Sequence, residues 1–337
     1  MNFIRAFILI VGIGLGFYGC AGIYSVVDFE VLEPANVSFP DHVSQLLVLN
    51  RAPFSFEVFS EDNRKGMKKE HLLMLDTLIS NSIFRGLKEV LLQSPIERFH
   101  NPKWLSERRA DTALIEDLIL TRREVNEICS IFGGDAIISM EMYTMDLDEK
   151  FYYYTDDPSS LQTHYYQVTN QIKWIIYLPD NPRPFDRYTT VDTIYFTDVE
   201  DGRYRITPNV AEMVREAFFN SGVKYGRYLV PVWTNASRTL FSGREDSLRE
   251  ASRMTGEGDW DQAFGIWRNL AESGDSTVIA KSFHNMAIFY ELEDNLDSAS
   301  ILLDKALQYD SLEVIEFYRE DLDVRLLNRS EVLKQVL

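Results

Sequence analysis

The chain is short of the residues that most often carry chemistry. It has two cysteines, Cys20 and Cys129, and five histidines in 337 residues. A small secreted scaffold stapled by disulfides would carry four cysteines or more. The histidines His42, His71, His100, His164 and His284 form no H-E-x-x-H pair and no other metal spacing. No metal and no cofactor is therefore expected. Neither a G-x-S-x-G elbow nor a G-x-x-x-x-G-K-S/T phosphate loop occurs. Positive charge is scarce as well. Thirty-four Lys and Arg face 52 Asp and Glu, a net charge of -18. Such a surface repels phosphates, which argues against a nucleic-acid partner and against a basic lipid-binding patch.

Apolar residues are plentiful, at 45% hydrophobic and 13% aromatic. That composition builds a core and excludes a disordered chain. The length allows two domains at roughly 150 residues each.

Residues 1–19 read as an export signal. Arg5 is the only early charge, Ala6 to Tyr18 is apolar or glycine throughout, and Gly19 precedes Cys20. A cysteine after a small residue resembles a lipobox, which implies cleavage and lipidation at Cys20 and a lipid-anchored protein. Phe17 and Tyr18 are bulkier than the usual lipobox residues. The alternative is a retained transmembrane helix, because Ala6 to Val27 carries no charge and is long enough to span a bilayer. Gly14, Gly16 and Gly19 satisfy G-x-G-x-x-G, but they sit in the apolar export segment and not between a strand and a helix. Asp28, Glu30 and Glu33 come late after Cys20, which favours an outer-membrane position facing the periplasm over the cell surface. Residues 20–41, with Pro34 and Pro40, read as a tether.

Residues 42–232 read as an α/β domain. Leu46 to Leu49 is a strand covered on both faces. Leu72, Leu75, Ile79, Ile83, Leu87 and Val90 repeat at helical spacing, and Pro95 closes that helix. Ile96 to Phe99 reads as a second strand. Thr121 and Glu124 form a capping box that opens a helix ending at Gly133-Gly134. Ala136 to Tyr143 alternates as a strand whose buried face is Ile138, Met140 and Met142. Residues 166–178 and Tyr188 to Thr197 pair as a hairpin, and Val210 to Tyr228 is a helix before Pro231. The order implies a layered, mixed α/β (α+β) sheet. The helix ending in Gly133-Gly134-Asp135 before its strand resembles the N-terminal domain of TolB and of the curli-secretion lipoprotein CsgG. That resemblance bears on fold and not on activity.

Residues 236–337 read as an all-α repeat domain. Ala251 precedes Ala263 by 12 positions, Trp267 follows by 4 and Leu270 by 3. Ala287, Ala299, Leu303 and Ala306 repeat the pattern 36 residues later. The spacing resembles the tetratricopeptide (TPR) repeat, in which small residues let paired helices approach and large ones fill the gaps. The second repeat has Asp294 where glycine is usual. Ile315, Tyr318, Leu322 and Leu326 form a capping helix. The whole chain resembles a family of Bacteroidota lipoproteins with a C-terminal tetratricopeptide region and no assigned activity. The residues that carry this are Glu33-Pro34-Ala35, Leu49-Asn50-Arg51, Gly133 with Asp135, Pro231 with Trp233, Gly258-Asp259-Trp260, Ala263, Trp267, Asn285-Met286-Ala287 and Glu291.

No catalytic residue is assigned. Cys129 lies on the apolar face of its helix and reads as core. The acidic groups Asp146, Asp148 and Glu149, and Asp198, Glu200 and Asp201, read as solvated turns at strand ends. The aromatics Phe151 to Tyr154, Tyr165, Tyr166 and Trp174 read as sheet core, with a stacking surface as the alternative. The expected role is a membrane-anchored, non-enzymatic binding or scaffolding module. Its protein partner would meet Tyr290, Asn285, Trp260 and Trp267. A structural subunit of an envelope assembly or secretion apparatus is the alternative, and a glycan enzyme using the acidic groups stands third.

Overall fold

A computed structural model gives the structure of residues 24–53, 69–108, 119–153, 162–201, 204–206, 209–243, 245–273 and 275–336. They fall into two units, one of residues 32–233 and 331–336, the other of residues 24–31 and 234–330.

In the first unit, β2 (Leu46–Asn50) is buried at every position. Its side chains alternate between two apolar layers, as a strand covered on both faces requires. Leu46 and Val48 meet α1 (Lys69–Gln93) and α3 (Val210–Leu229). Leu47 and Leu49 meet α2 (Arg122–Phe132). The sheet runs β3 (Lys103–Ser106), β2, β4 (Ala136–Tyr153), β5 (Gln162–Tyr177), β6 (Asp186–Thr197). β2 is parallel to β3 and β4, and the β4–β5–β6 arm is antiparallel. This is the mixed α/β sheet the sequence implies. A small pair, β7 (Val199–Asp201) and β8 (Tyr204–Ile206), follows it.

The capping box forms as expected. The Glu124 N–H donates to Thr121 Oγ1, and the Thr121 N–H donates to the Glu124 carboxylate at 2.7 Å. Gly133 ends α2 at φ 61°. Ile96 to Phe99 is not a strand. Residues 97–99 form a 3-10 turn that buries Ile96 and Phe99 on the same core, three positions apart, and the edge strand β3 comes after Pro102.

β4 departs from simple alternation at one point. The register with β5 shifts between Met140 and Met142, so Glu141 is an inserted bulge residue. Before it, Ile138 and Met140 face the α1–α3 layer; after it, Tyr143 and Met145 do. Met142, expected in the core, is half-buried. The strand also continues to Tyr153, which places Asp146, Asp148 and Glu149 inside it and not in a turn. Trp174 is fully buried and stacked on Tyr225 with centroids 4.0 Å apart, so its place is in the core.

Two glycines set the spacing of the helical layer. A Cβ on Gly86 of α1 would lie 2.1 Å from the Phe219 carbonyl oxygen, and one on Gly222 of α3 would lie 2.1 Å from that of Ile83. The helices cross backbone to backbone there. Gly222→Ala is expected to lower the unfolding free energy by about 3 kcal/mol, measured by urea denaturation. A loss below about 0.5 kcal/mol would show that the helices separate freely.

The second unit is a run of helices, α4 (Asp246–Gly256), α5 (Trp260–Ser273), α6 (Ser276–Leu292), α7 (Leu296–Tyr309) and α8 (Glu313–Val336), the last ending in the first unit. The alanines Ala251, Ala263, Ala287, Ala299 and Ala306 are all fully buried. The two hairpin turns repeat atom for atom. Asp259 N–H donates to the Met254 carbonyl at 2.8 Å, and Asn295 N–H to the Tyr290 carbonyl at 2.8 Å. Gly258 takes φ 85° in the first turn, and Asp294 takes φ 54° in the second. The strand β1 (Tyr24–Glu33), read in the sequence as tether, pairs with β9 (Val232–Phe241).

Candidate functional site

A helix in a stack of hairpins buries one face against its neighbours. α6 buries a second face as well, bearing His284, Asn285, Ile288 and Glu291. His284, Ile288 and Glu291 share one side of the helix by the i, i+4, i+7 rule, and Asn285 lies beside them, three positions before Ile288. What covers the polar ones is the chain's own strand β9.

The contacts on β9 are main-chain contacts at one end. Asn285 Nδ2 donates to the Phe241 carbonyl at 2.8 Å, and the Phe241 N–H donates to Asn285 Oδ1 at 2.9 Å. One side-chain amide thus satisfies both backbone groups of a strand residue. His284 Nε2 lies 2.8 Å from the Thr239 carbonyl, so this nitrogen carries the proton. The Lys281 ammonium sits 5.7 Å above the Phe241 ring.

At the other end lies a charge cluster. The Glu291 side chain is fully buried between Arg238 of β9 and Arg325 of α8. Arg238 donates through Nε and Nη2 at 2.9 and 3.0 Å, and Arg325 through Nη1 at 2.6 Å. Both guanidiniums also lie against the Phe29 ring of β1, at 5.8 and 5.5 Å. Asp321 reaches Arg238 and Asp294 reaches Arg325 at the rim, at 3.3 and 3.4 Å. Burial opposes the Glu291 charge, but the two arginines outweigh it and hold its carboxyl below the usual range. Burial pulls His284 down from 6.5 to about 4, against the Thr239 bond that favours its proton and with Arg238 repelling the charged form.

The arrangement grips an extended chain by its backbone and pins it with a doubly held carboxylate. Of the residues expected to meet a partner, Asn285 and Trp267 are fully buried inside the unit. Trp260 and Tyr290 keep partial exposure, Trp260 against Trp267 at 6.4 Å and Tyr290 against Phe264 at 5.5 Å. Tyr290 and Asn285 are five positions apart on α6, about 140° around the helix, so they do not share a surface. Cys20 lies outside the described residues. Cys129 is a buried thiol pushed up to about 11, chiefly by burial. Among the described residues, no group of three or more His, Cys, Asp or Glu could hold a metal ion.

His284, Glu291, Arg238, Arg325 and Phe29 were not singled out as a site by the spacing of motifs. The signal was a polar pair, His284 and Glu291, on a helix whose alanine face already accounted for its packing.

The unit's stability is expected to depend on pH through this site. Below pH 6.5 the unfolded chain protonates His284 and the folded chain does not. Stability is complete above that value and falls toward about pH 4, by about 3 kcal/mol for this group. Glu291 adds a loss of the same sign at lower pH, as its carboxyl protonates. His284→Gln should flatten the slope between pH 6.5 and 4 in thermal melts. An unchanged slope would assign it to other groups. Glu291→Ala, which strands two arginines, should cost about 3–5 kcal/mol.

Residues 43–241 match a family model described as a domain of unknown function, DUF8603, and residues 249–323 match a second, DUF6340. The first match takes in β9. No curated protein matches the chain. Among solved structures, a neuraminyllactose-binding hemagglutinin homolog from Helicobacter pylori is similar at 13% identity and TM-score 0.33, over 58% of this chain and 88% of that one. A PelC dodecamer from Paraburkholderia phytofirmans is similar at 7% identity and TM-score 0.23, over 61% of this chain and 99% of that one. Likeness at that level says nothing of what this chain binds.

Proposed function

We propose that this chain, which belongs to the DUF8603 family, is a lipid-anchored binding or scaffolding module whose helical repeats are of tetratricopeptide type. The observation that supports this most is the Asn285 clamp on the Phe241 backbone. The clamp shows that this helical unit can hold an extended chain by its main chain, and it braces the surface offered to a partner. In this chain the groove's occupant is β9, so a protein partner is assigned to the side bearing Trp260 and Tyr290. No catalytic role is assigned.

The anchor reading rests on the sequence Ala6 to Tyr18 followed by Gly19 and Cys20. Among the described residues no helix is long and apolar enough to cross a membrane. The lipid on Cys20 would hold the body at the outer membrane, facing the periplasm. A second reading, a subunit of an envelope assembly, is favoured by an exposed apolar stripe on α8. Phe317, Val324 and Leu327 are 59%, 57% and 72% exposed and share one face.

Cells fed radiolabelled palmitate are expected to label the wild-type chain and leave Cys20→Ala unlabelled and released from membranes. An unlabelled mature chain that begins before Gly19 would refute the anchor. Crosslinking in intact membranes should capture a protein partner that Tyr290→Ala loses. If the only crosslinked species is the chain itself, lost on Leu327→Asp, the assembly reading replaces the scaffold.

A further inference from the structure

A cavity of about 680 Å³ opens in the α/β unit between the edge strand β3 and helix α2. Leu49 and Leu105 form its floor, and Ile128, Ile131 and Phe132 its helical wall. Ile131 is 67% exposed and Phe132 41%, so an apolar wall faces water. The helix runs antiparallel to the strand. At one end Lys103 Nζ donates to the Phe132 carbonyl at 2.6 Å. At the other, Glu124 in the first turn of α2 lines the cavity with Ser106 and Glu107.

The strand side of this groove offers backbone. Among the described residues β3 pairs with β2 alone. The Glu107 N–H donates to the Asn50 carbonyl at 2.9 Å. Successive residues of a strand aim their polar groups to opposite sides. Lys103 and Leu105 therefore face β2, and the N–H and C=O groups of Trp104 and Ser106 point to the open edge. An open edge beside an apolar helical wall is where an extended segment adds as a further strand.

The charge at the rim chooses among such segments. Glu107, Glu124 and Glu127 all line the cavity. Glu124 is engaged with Thr121, whereas the carboxylates of Glu107 and Glu127 have no partner among the described residues. Among the described lining residues the cation is Arg51, which is paired with Glu141 at 3.0 Å. The rim is anionic.

We propose that the β3–α2 groove binds an extended protein segment by strand addition. The segment carries an apolar side chain over Leu49, Leu105 and Ile128. Two positions away it carries a Lys or Arg against Glu107 and Glu127, because alternate residues of a strand share a face. This site is separate from the helical groove and does not depend on the reading given to it.

The test uses the purified full chain and a fluorescein-labelled nonapeptide, Thr-Val-Thr-Leu-Thr-Lys-Thr-Val-Thr, followed by fluorescence anisotropy. Saturable binding is expected. Glu in place of the peptide's Lys should weaken it at least about five-fold, and N-methylation of alternate peptide amides should abolish it. In the protein, Glu107→Lys with Glu127→Lys should invert the preference between the two peptides. Ser106→Pro removes an outward N–H at an edge position that tolerates proline, and should abolish binding with the unfolding midpoint unchanged. If Ser106→Pro unfolds the protein, the N-methylated peptide decides. Absent binding, equal binding of the Lys and Glu peptides, or binding indifferent to N-methylation would overturn the proposal. So would a dimer seen by sedimentation that Ser106→Pro dissolves, which would give the edge to a second copy.

Discussion

A carboxylate taken out of water must be matched by charge and hydrogen bonds, or the structure around it opens. Glu291 is matched twice, by Arg238 from strand β9 and Arg325 from helix α8. That one requirement ties three elements of the helical unit together. Phe29 adds β1 to the set, since its ring lies against both guanidiniums. The apolar parts of these elements could slide against one another at little cost, because burial is not directional. The bidentate contact of Arg238 cannot slide. It fixes the register of β9 on α6, and the Asn285 clamp then falls opposite the Phe241 backbone.

The α/β unit uses a local irregularity to choose which side chains enter its core. Without the bulge in β4, Met142 would follow Ile138 and Met140 onto the α1–α3 layer and Tyr143 would turn away from it. With it, the strand resumes with Tyr143 and Met145 on that layer, while Glu141 keeps the parity of Ile137 and is paired with Arg51 at the end of β2. The extra residue interrupts the ladder at one point and brings the Tyr143 ring into the core. The close crossing at Gly86 and Gly222 works in the opposite sense. It removes side chains so that two backbones meet, and α1 and α3 together cover the sheet's apolar face.

Elements that follow one period were legible in the sequence. The capping box at Thr121 and Glu124, the buried run of β2 and the alanine spacing of α4 to α7 each stand on a short, local rule. The features missed are those where two rules meet. Ile96 and Phe99 are apolar and three apart, which suits a 3-10 turn as well as a strand, and only the position of β3 after Pro102 decides. The bulge at Glu141 leaves no trace in composition. β1 and β9 form a two-stranded pair whose partners are far apart in the chain, as are Phe29 of β1 and Arg325 of α8. The same holds at the site. Asn285 and Trp267 carry residue types common at interfaces, and the structure commits both to internal contacts. Asp294 was legible as an anomaly, and its positive φ explains it: aspartate tolerates the left-handed region that glycine occupies in the other repeat.

An occupied groove changes how a partner can act. A ligand that competes with β9 must first displace Arg238 from Glu291 and Phe241 from Asn285. Its apparent affinity is then reduced by the fraction of molecules in which the strand is out. Leaving Glu291 with one arginine and Asn285 with none makes that fraction small, since each stranded buried group costs on the order of 1–3 kcal/mol. Displacement therefore demands a ligand that supplies its own cation to Glu291 and its own backbone to Asn285. A partner lacking either meets the chain elsewhere: at the half-exposed rings of Trp260 and Tyr290, at the apolar stripe of α8, or along the open edge of β3. The groove is then an internal brace, and recognition falls to the surfaces that the brace holds rigid.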